Sequence, residues 1–149
     1  MDATAQLTAG LESAPGCPSR CCGGSTRPPT LSDYIERGLR RRRTGPLPVV
    51  GDVRRDDDGR FAQFSVRMND GVIADVAFDA TTCVTLVAYC ELAAEWVTGH
   101  TVSAAAQKIR LHELARALPL VPEDKRHRAL LAVQAVMATV IESARRQMS

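Results

Sequence analysis

Residues 70–99 constrain the fold of this chain more than any other stretch, because a turn, a strand, a second turn and a helix follow one another there. Asn69-Asp70-Gly71 is a hairpin signal, and the apolar residues after it predict a strand that ends near Phe78. Thr81 and Thr82 are typical helix caps, and the apolar spacing beyond them predicts a helix over residues 82–98. With Thr82 as the cap, Cys83 is the first helical residue. The free N–H groups and positive end of the helix then favour a thiolate, which metal ligation and sulfur transfer both need.

Weaker signals on either side complete the architecture. Residues 31–40 predict a helix capped by Ser32 or Asp33, and residues 60–68 predict the strand that pairs with residues 72–78. Three further helices are predicted at residues 102–106, 111–118 and 123–146. Short strands followed by helices favour an α+β fold, with a small antiparallel sheet packed on one face by helices. Trp96 is predicted to lie in the core. The core-facing residues predicted on the last helix are Leu130, Leu131, Val133, Val136, Met137, Val140 and Ile141.

Composition divides the chain into a tail and one domain. Residues 1–30 are rich in small and polar residues and end in Pro28-Pro29, so they predict a disordered tail that carries Cys17, Cys21 and Cys22. Residues 31–149 have the length and apolar content of a single domain, which we expect to fold without the tail. The net charge of +2 points to no particular partner.

The cysteine count predicts a reducing compartment. Five cysteines are an odd number, which suits free thiols or metal ligands better than a disulfide framework. The first residues include Asp2 and Glu12 and no apolar segment, so no secretory signal is predicted. The apolar run from Ala129 to Ile141 is too short and too amphipathic to span a membrane. We therefore expect a cytoplasmic protein.

The central block resembles the U-type iron–sulfur cluster scaffolds, the NifU/IscU-like family. That family has a pattern close to D-A-x-F-x-x-x-G-C-x-x-x-x-A-x-x-S-x-L-A-x-E-W-V-x-G-K, and Thr82 stands here in place of the glycine before the cysteine. The positions that match without a gap are Asp75, Phe78, Cys83, Ala88, Leu92, Ala93, Glu95, Trp96, Val97 and Gly99. The resemblance covers residues 31–142 and implies the scaffold topology.

The resemblance also implies a set of site residues. The family holds its cluster with three cysteines, beside an aspartate and a histidine. Its C-G-D motif is matched here by Val50-Gly51-Asp52, and its H-C motif by His127-Arg128. Asp52, Cys83 and His127 are therefore the candidate metal ligands, expected in one pocket, for iron, zinc or a transient [2Fe–2S] cluster. Val50 cannot ligate. Arg128 would oppose metal binding, but it would favour a thiolate or persulfide at Cys83, or would pair with Asp52.

The remaining cysteines offer few replacement ligands. Cys90 lies two helical turns beyond Cys83, about 10 Å away, which is too far for both sulfurs to share one ion. It is predicted to be a small buried hydrophobe. The tail cysteines have two open interpretations: they fold over to donate thiolates to the Cys83 site, or they have no specific role.

The arginines at residues 40–43, with Arg37, Arg54 and Arg55, form a basic segment. Nucleic-acid binding is one interpretation, but no aromatic residue is interleaved for base stacking, and Asp56, Asp57 and Asp58 follow at once. A solvated or partner-docking surface is the favoured interpretation.

Two functions fit these observations. The resemblance implies a non-enzymatic protein of iron–sulfur cluster assembly, either a divergent scaffold or a sulfur acceptor, that works with a cysteine desulfurase or other assembly proteins. The alternative is a binding or regulatory module that keeps the scaffold fold around a degenerate metal site.

Overall fold

The predicted α+β fold is confirmed by the computed structural model, which describes residues 27–118 and 121–148. Helices pack against an antiparallel sheet of four strands. In chain order the elements are α1 (Leu31–Arg42), β1 (Val49–Val50), β2 (Arg54–Arg55), β3 (Phe61–Asn69), β4 (Val72–Ala80), α2 (Val84–Val97), α3 (Val102–Lys108), α4 (Leu111–Arg116), a 3₁₀ turn (Glu123–Lys125) and α5 (Arg128–Gln147). No helix in these described ranges is long and apolar enough to cross a membrane.

Strand β3 is the centre of the sheet. It pairs along one side with β4, where Phe64 lies opposite Phe78, and along the other side with both β1 and β2. The β3–β4 hairpin is the one that the sequence predicts. Its turn residues Asp70 and Gly71 have φ angles of 54° and 80°, as the tight two-residue turn between twisted strands requires. The two short strands β1 and β2 fall in a stretch for which the sequence predicts only a connection.

The core lies between this sheet and helix α2. Helix α2 is apolar nearly all round and is buried over most of its length, because α1, α5 and the sheet all pack on it. Cys90 is fully buried there, as predicted, whereas Trp96 is half-buried at the edge of the core. On α5 the core prediction fails for Leu130 and Ile141, whose exposed fractions are 43% and 53%.

The cap of one helix and the starts of two others differ from those predicted. Thr30 caps α1 through its side chain, and the Asp33 carboxylate closes the capping box, so neither Ser32 nor Asp33 is the cap. Helix α2 begins one residue later than expected, which makes Cys83 its N-cap. The predicted last helix is divided into the 3₁₀ turn and α5.

A buried ion pair fastens α1 to the core. The Arg41 guanidinium donates to both carboxylate oxygens of Glu91, at 2.6 and 3.0 Å, and to the backbone oxygen of Val76, at 2.8 Å. Glu91 is only 1% exposed. Burial raises the pKa of Glu91 to about 7, although the hydrogen bonds from Arg41 act to lower it.

This carboxyl predicts a dependence of stability on pH. Because the pKa of Glu91 is raised from 4.5 to about 7 on folding, the folded chain binds this proton more tightly than the unfolded chain. The resulting stabilisation is complete below about pH 4.5 and is lost as the pH rises through about 7, by a few kcal/mol at most. Urea unfolding at pH 5 and pH 8 measures it. Glu91→Gln should flatten this part of the profile, and an unchanged slope would contradict the assignment.

Candidate functional site

Cys83 stands where the sheet meets the buried helix. The turn after β4 is held by Thr81, whose side-chain oxygen accepts a hydrogen bond from the Phe61 N–H at 2.8 Å and whose carbonyl accepts from the Cys83 N–H at 2.7 Å. As N-cap of α2, Cys83 has extended backbone, and its sulfur makes no capping hydrogen bond. The side chain is half-buried. Its sulfur is therefore not engaged in holding the helix.

The contact that defines this site joins Cys83 to Arg128. Nη1 of Arg128 donates to Sγ of Cys83 at 2.8 Å, and Arg128 is also the first residue of α5. The Arg128 side chain thus links the first residue of α5 to the N-cap of α2 and places a guanidinium against the sulfur.

Arg128 forms no ion pair with a carboxylate in the described part of the chain. No carboxylate there lies within ion-pair distance of its guanidinium, and its Nε is buried without a hydrogen-bond partner. The guanidinium therefore keeps its full charge and a spare donor at Cys83. This arrangement suits a bound sulfur anion and opposes a cation on the same sulfur.

Asp52 and His127 lie apart from this contact. Asp52 is exposed in the link between β1 and β2. His127 is exposed just before α5, with Nε2 at 3.5 Å from Nη2 of Arg60, and it lines a groove with the acidic turn of residues 56–58.

The structure does not bring Asp52, Cys83 and His127 together as predicted. Among the described residues no group of three or more His, Cys, Asp or Glu side chains is placed to hold a metal ion. A cluster needs about four ligands, so the described residues do not fit one. The roles of the three residues as individual ligands, and of Cys17, Cys21 and Cys22, which lie outside the described residues, stay predictions.

Comparison with known proteins identifies the fold. Residues 38–149 match the family described as NifU-like N terminal domain. The chain belongs to the NifU-like N-terminal domain family. It is therefore a relative of the scaffold proteins of iron–sulfur cluster assembly. No curated protein sequence matches it.

Two solved structures share this fold with the NifU-like chain. One is a nitrogen-fixing NifU-like protein (N-terminal) from Brucella abortus, 19% identical, which aligns over 78% of this chain and 99% of its own with a TM-score of 0.50. The other is a candidate iron–sulfur cluster assembly scaffold for the SUF system from Fervidobacterium islandicum AW-1, 14% identical, which aligns over 72% and 94% with a TM-score of 0.51.

Several arginines of the basic segment of this NifU-like domain form ion pairs. Arg40 pairs with Glu36, Arg41 with Glu91, and Arg42 approaches Asp79 at 3.7 Å. The sequence did not indicate these pairs, because two of the three join residues that are distant in the chain. Of these three arginines, Arg41 fastens α1 to the buried Glu91, and Arg42 approaches β4.

Proposed function

We propose that this NifU-like domain serves iron–sulfur cluster assembly as a sulfur acceptor, in which Cys83 receives sulfur from a cysteine desulfurase. The observation that carries the proposal is the 2.8 Å contact between Nη1 of Arg128, the first residue of α5, and Sγ of Cys83, the N-cap of α2. The absence of a three-ligand group among the described residues supports sulfur rather than a whole cluster as the cargo of the site.

The proposed step is a thiol–persulfide exchange. The Cys83 thiolate attacks the outer sulfur of a persulfide on the desulfurase cysteine, and a new S–S bond forms. The S–S bond of the donor breaks, and its electron pair leaves on the desulfurase thiolate. The Cys83 persulfide then releases its proton to water. No net oxidation occurs, since one S–S bond replaces another.

Arg128 contributes at both ends of this step. Before transfer its guanidinium stabilises the attacking thiolate, and after transfer its spare donors are available to the negative charge on the persulfide. Cys90 takes no part, because burial and the nearby Glu91 raise the pKa of its thiol and no solvent reaches it.

The test is sulfur transfer from a purified cysteine desulfurase supplied with cysteine. A background with Cys17, Cys21 and Cys22 changed to serine leaves Cys83 and the buried Cys90 as the only thiols. Intact-mass spectrometry should show one added sulfur atom, and Cys83→Ser should abolish it. Arg128→Met should slow the gain about tenfold or more, since a charged hydrogen bond contributes roughly 1.5–3 kcal/mol. The rate of sulfur gain for Arg128→Lys should lie between the rate of Arg128→Met and that of the parent.

The exposed Arg43→Met is the matched control and should transfer sulfur at the parental rate. Circular dichroism of each variant establishes that it is folded. A folded parent that gains no sulfur, yet alters the turnover of the desulfurase, would instead support a binding module with a degenerate site.

A further inference from the structure

The strand pair that leads into Cys83 ends in an altered exchange of hydrogen bonds. Phe61 begins β3 and Thr81 follows the last residue of β4, and the two bond to each other at the end of the ladder. In an antiparallel sheet, the two residues of a hydrogen-bonded pair each donate an N–H to the carbonyl of the other. The Thr81 N–H does donate to the Phe61 carbonyl, at 3.1 Å, but the Phe61 N–H donates to the Thr81 side-chain oxygen, at 2.8 Å. The Thr81 hydroxyl therefore takes the place of the Thr81 carbonyl in the sheet.

The carbonyl that is left free directs the chain out of the sheet. It accepts the Cys83 N–H at 2.7 Å, which closes a three-residue turn over Thr81, Thr82 and Cys83. The Cys83 carbonyl in turn accepts the Val87 N–H at 2.9 Å, as the carbonyl of an N-cap residue does when a helix begins. The backbone of Cys83 is thus held on one side by the end of the sheet and on the other by the first turn of α2.

The neighbouring threonine does not share this role. The sequence makes Thr81 and Thr82 equivalent candidates for a helix cap, yet only the side chain of Thr81 is engaged. Thr82 is exposed, and its hydroxyl makes no hydrogen bond within residues 27–118 and 121–148. The turn therefore depends on one hydroxyl at one position, which serine also supplies and which valine, of the same shape as threonine, does not.

We propose that Thr81 is a positioning residue of the sulfur-acceptor site, a role that rests on the function proposed above: its hydroxyl frees its own carbonyl to hold Cys83 against Arg128. Without the hydroxyl, the part-buried Phe61 N–H draws the Thr81 carbonyl back into the ladder, because a buried N–H without a partner is costly. The bond from the Cys83 N–H is then weakened. The 2.8 Å contact between Sγ of Cys83 and Nη1 of Arg128 loosens as a result.

Two alkylating reagents report the placement of Cys83 without a desulfurase. Iodoacetate is an anion and iodoacetamide is neutral, and both react with the thiolate, so the ratio of their rates reflects the charge beside the sulfur rather than its exposure. In the full chain whose three tail cysteines are serine, Arg128→Met should lower the ratio of the iodoacetate rate to the iodoacetamide rate at least about threefold. Thr81→Val should lower this ratio as well. The two changes together should lower it no further than Arg128→Met alone, because Thr81 acts through the same contact.

The controls separate the hydroxyl from the turn as a whole. Thr81→Ser should keep the parental ratio, and Thr82→Val, which changes the exposed neighbour, should keep it too. Circular dichroism establishes which variants are folded. Thr81→Ala removes the same hydroxyl and carries the same prediction if the valine variant does not fold. A folded Thr81→Val with the parental ratio, or a Thr81→Ser or Thr82→Val that lowers the ratio as much, would overturn the proposal.

Sulfur transfer from the desulfurase is the second measurement. Thr81→Val should slow the gain of sulfur by Cys83 about three- to tenfold, because the change removes one neutral hydrogen bond, and Thr81→Ser should gain sulfur at the parental rate. A parent that gains no sulfur, although the ratio of alkylation rates falls in Thr81→Val, would contradict the sulfur-acceptor function and still support the placement of Cys83 by Thr81. A parent that gains sulfur, with an unchanged ratio in Thr81→Val, would overturn the positioning role alone.

Discussion

Replacing Arg41 with methionine is expected to lower the free energy of unfolding by about 3–5 kcal/mol at pH 8, the cost typical of breaking a buried ion pair. The change removes both hydrogen bonds to Glu91 and the one to the Val76 carbonyl, while the carboxylate stays only 1% exposed. Urea unfolding followed by circular dichroism measures the loss. The loss should be smaller at pH 5, where Glu91 is protonated and no unpaired charge is buried.

Two further variants separate the ion pair from the loss of an arginine as such. Arg43→Met changes an exposed arginine of the same run and should alter the free energy by less than about 0.5 kcal/mol. Arg41→Met combined with Glu91→Met should recover most of the stability, because a buried pair replaced by apolar groups is often neutral. A double variant as unstable as Arg41→Met would contradict this account of the pair.

The sequence predicts the elements that depend on short-range signals. The β3–β4 hairpin follows from Asn69-Asp70-Gly71 and its flanking strands, and α2 follows from a long apolar run. Short strands such as β1 and β2 carry almost no signal of their own, because two residues define no periodicity and their order comes from pairing with β3 and packing on α5.

Helical periodicity also does not show how much of an apolar face is buried in the core. On α5 it gives one broad apolar face, which the structure divides between residues buried in the core and residues left exposed. Leu131 is buried whereas its neighbour Leu130 is exposed, because the core ends within that face. The depth of packing depends on neighbouring elements, which a single helix does not encode.

The candidate site was predicted in part. The resemblance placed Arg128 where the family has a cysteine, and the contact with Cys83 agrees with the expected thiolate partner. The structure does not group Asp52 and His127 with Cys83, as the resemblance had implied. His127 lies instead beside Arg60 and the acidic turn, whose ion pairs form across residues 56–60 and had no part in the prediction.

Gly51→Ala is expected to destabilise the fold by about 3 kcal/mol, the upper end for an overpacked site. A Cβ at this position would lie 2.2 Å from Oγ1 of Thr139 and 2.6 and 2.7 Å from its Cα and N atoms. The approach is close because the Gly51 N–H and the Thr139 hydroxyl both donate to the Phe64 carbonyl, at 3.0 Å each, which ties the β1–β2 link and α5 to β3. Thermal or urea unfolding measures the loss.

The neighbouring exposed residue supplies the control, because Asp52→Ala should change the free energy by no more than about 0.5 kcal/mol. Thr139→Ala should not rescue Gly51→Ala, since two of the three closest atoms belong to the helix backbone. A rescue would mean that the Thr139 hydroxyl alone prevents a side chain at position 51. Valine stands here in place of the cysteine of the family motif, yet the glycine between Val50 and Asp52 is still present. A failure to rescue would explain this glycine by packing alone, because the sheet and α5 approach too closely at Gly51 to admit a side chain.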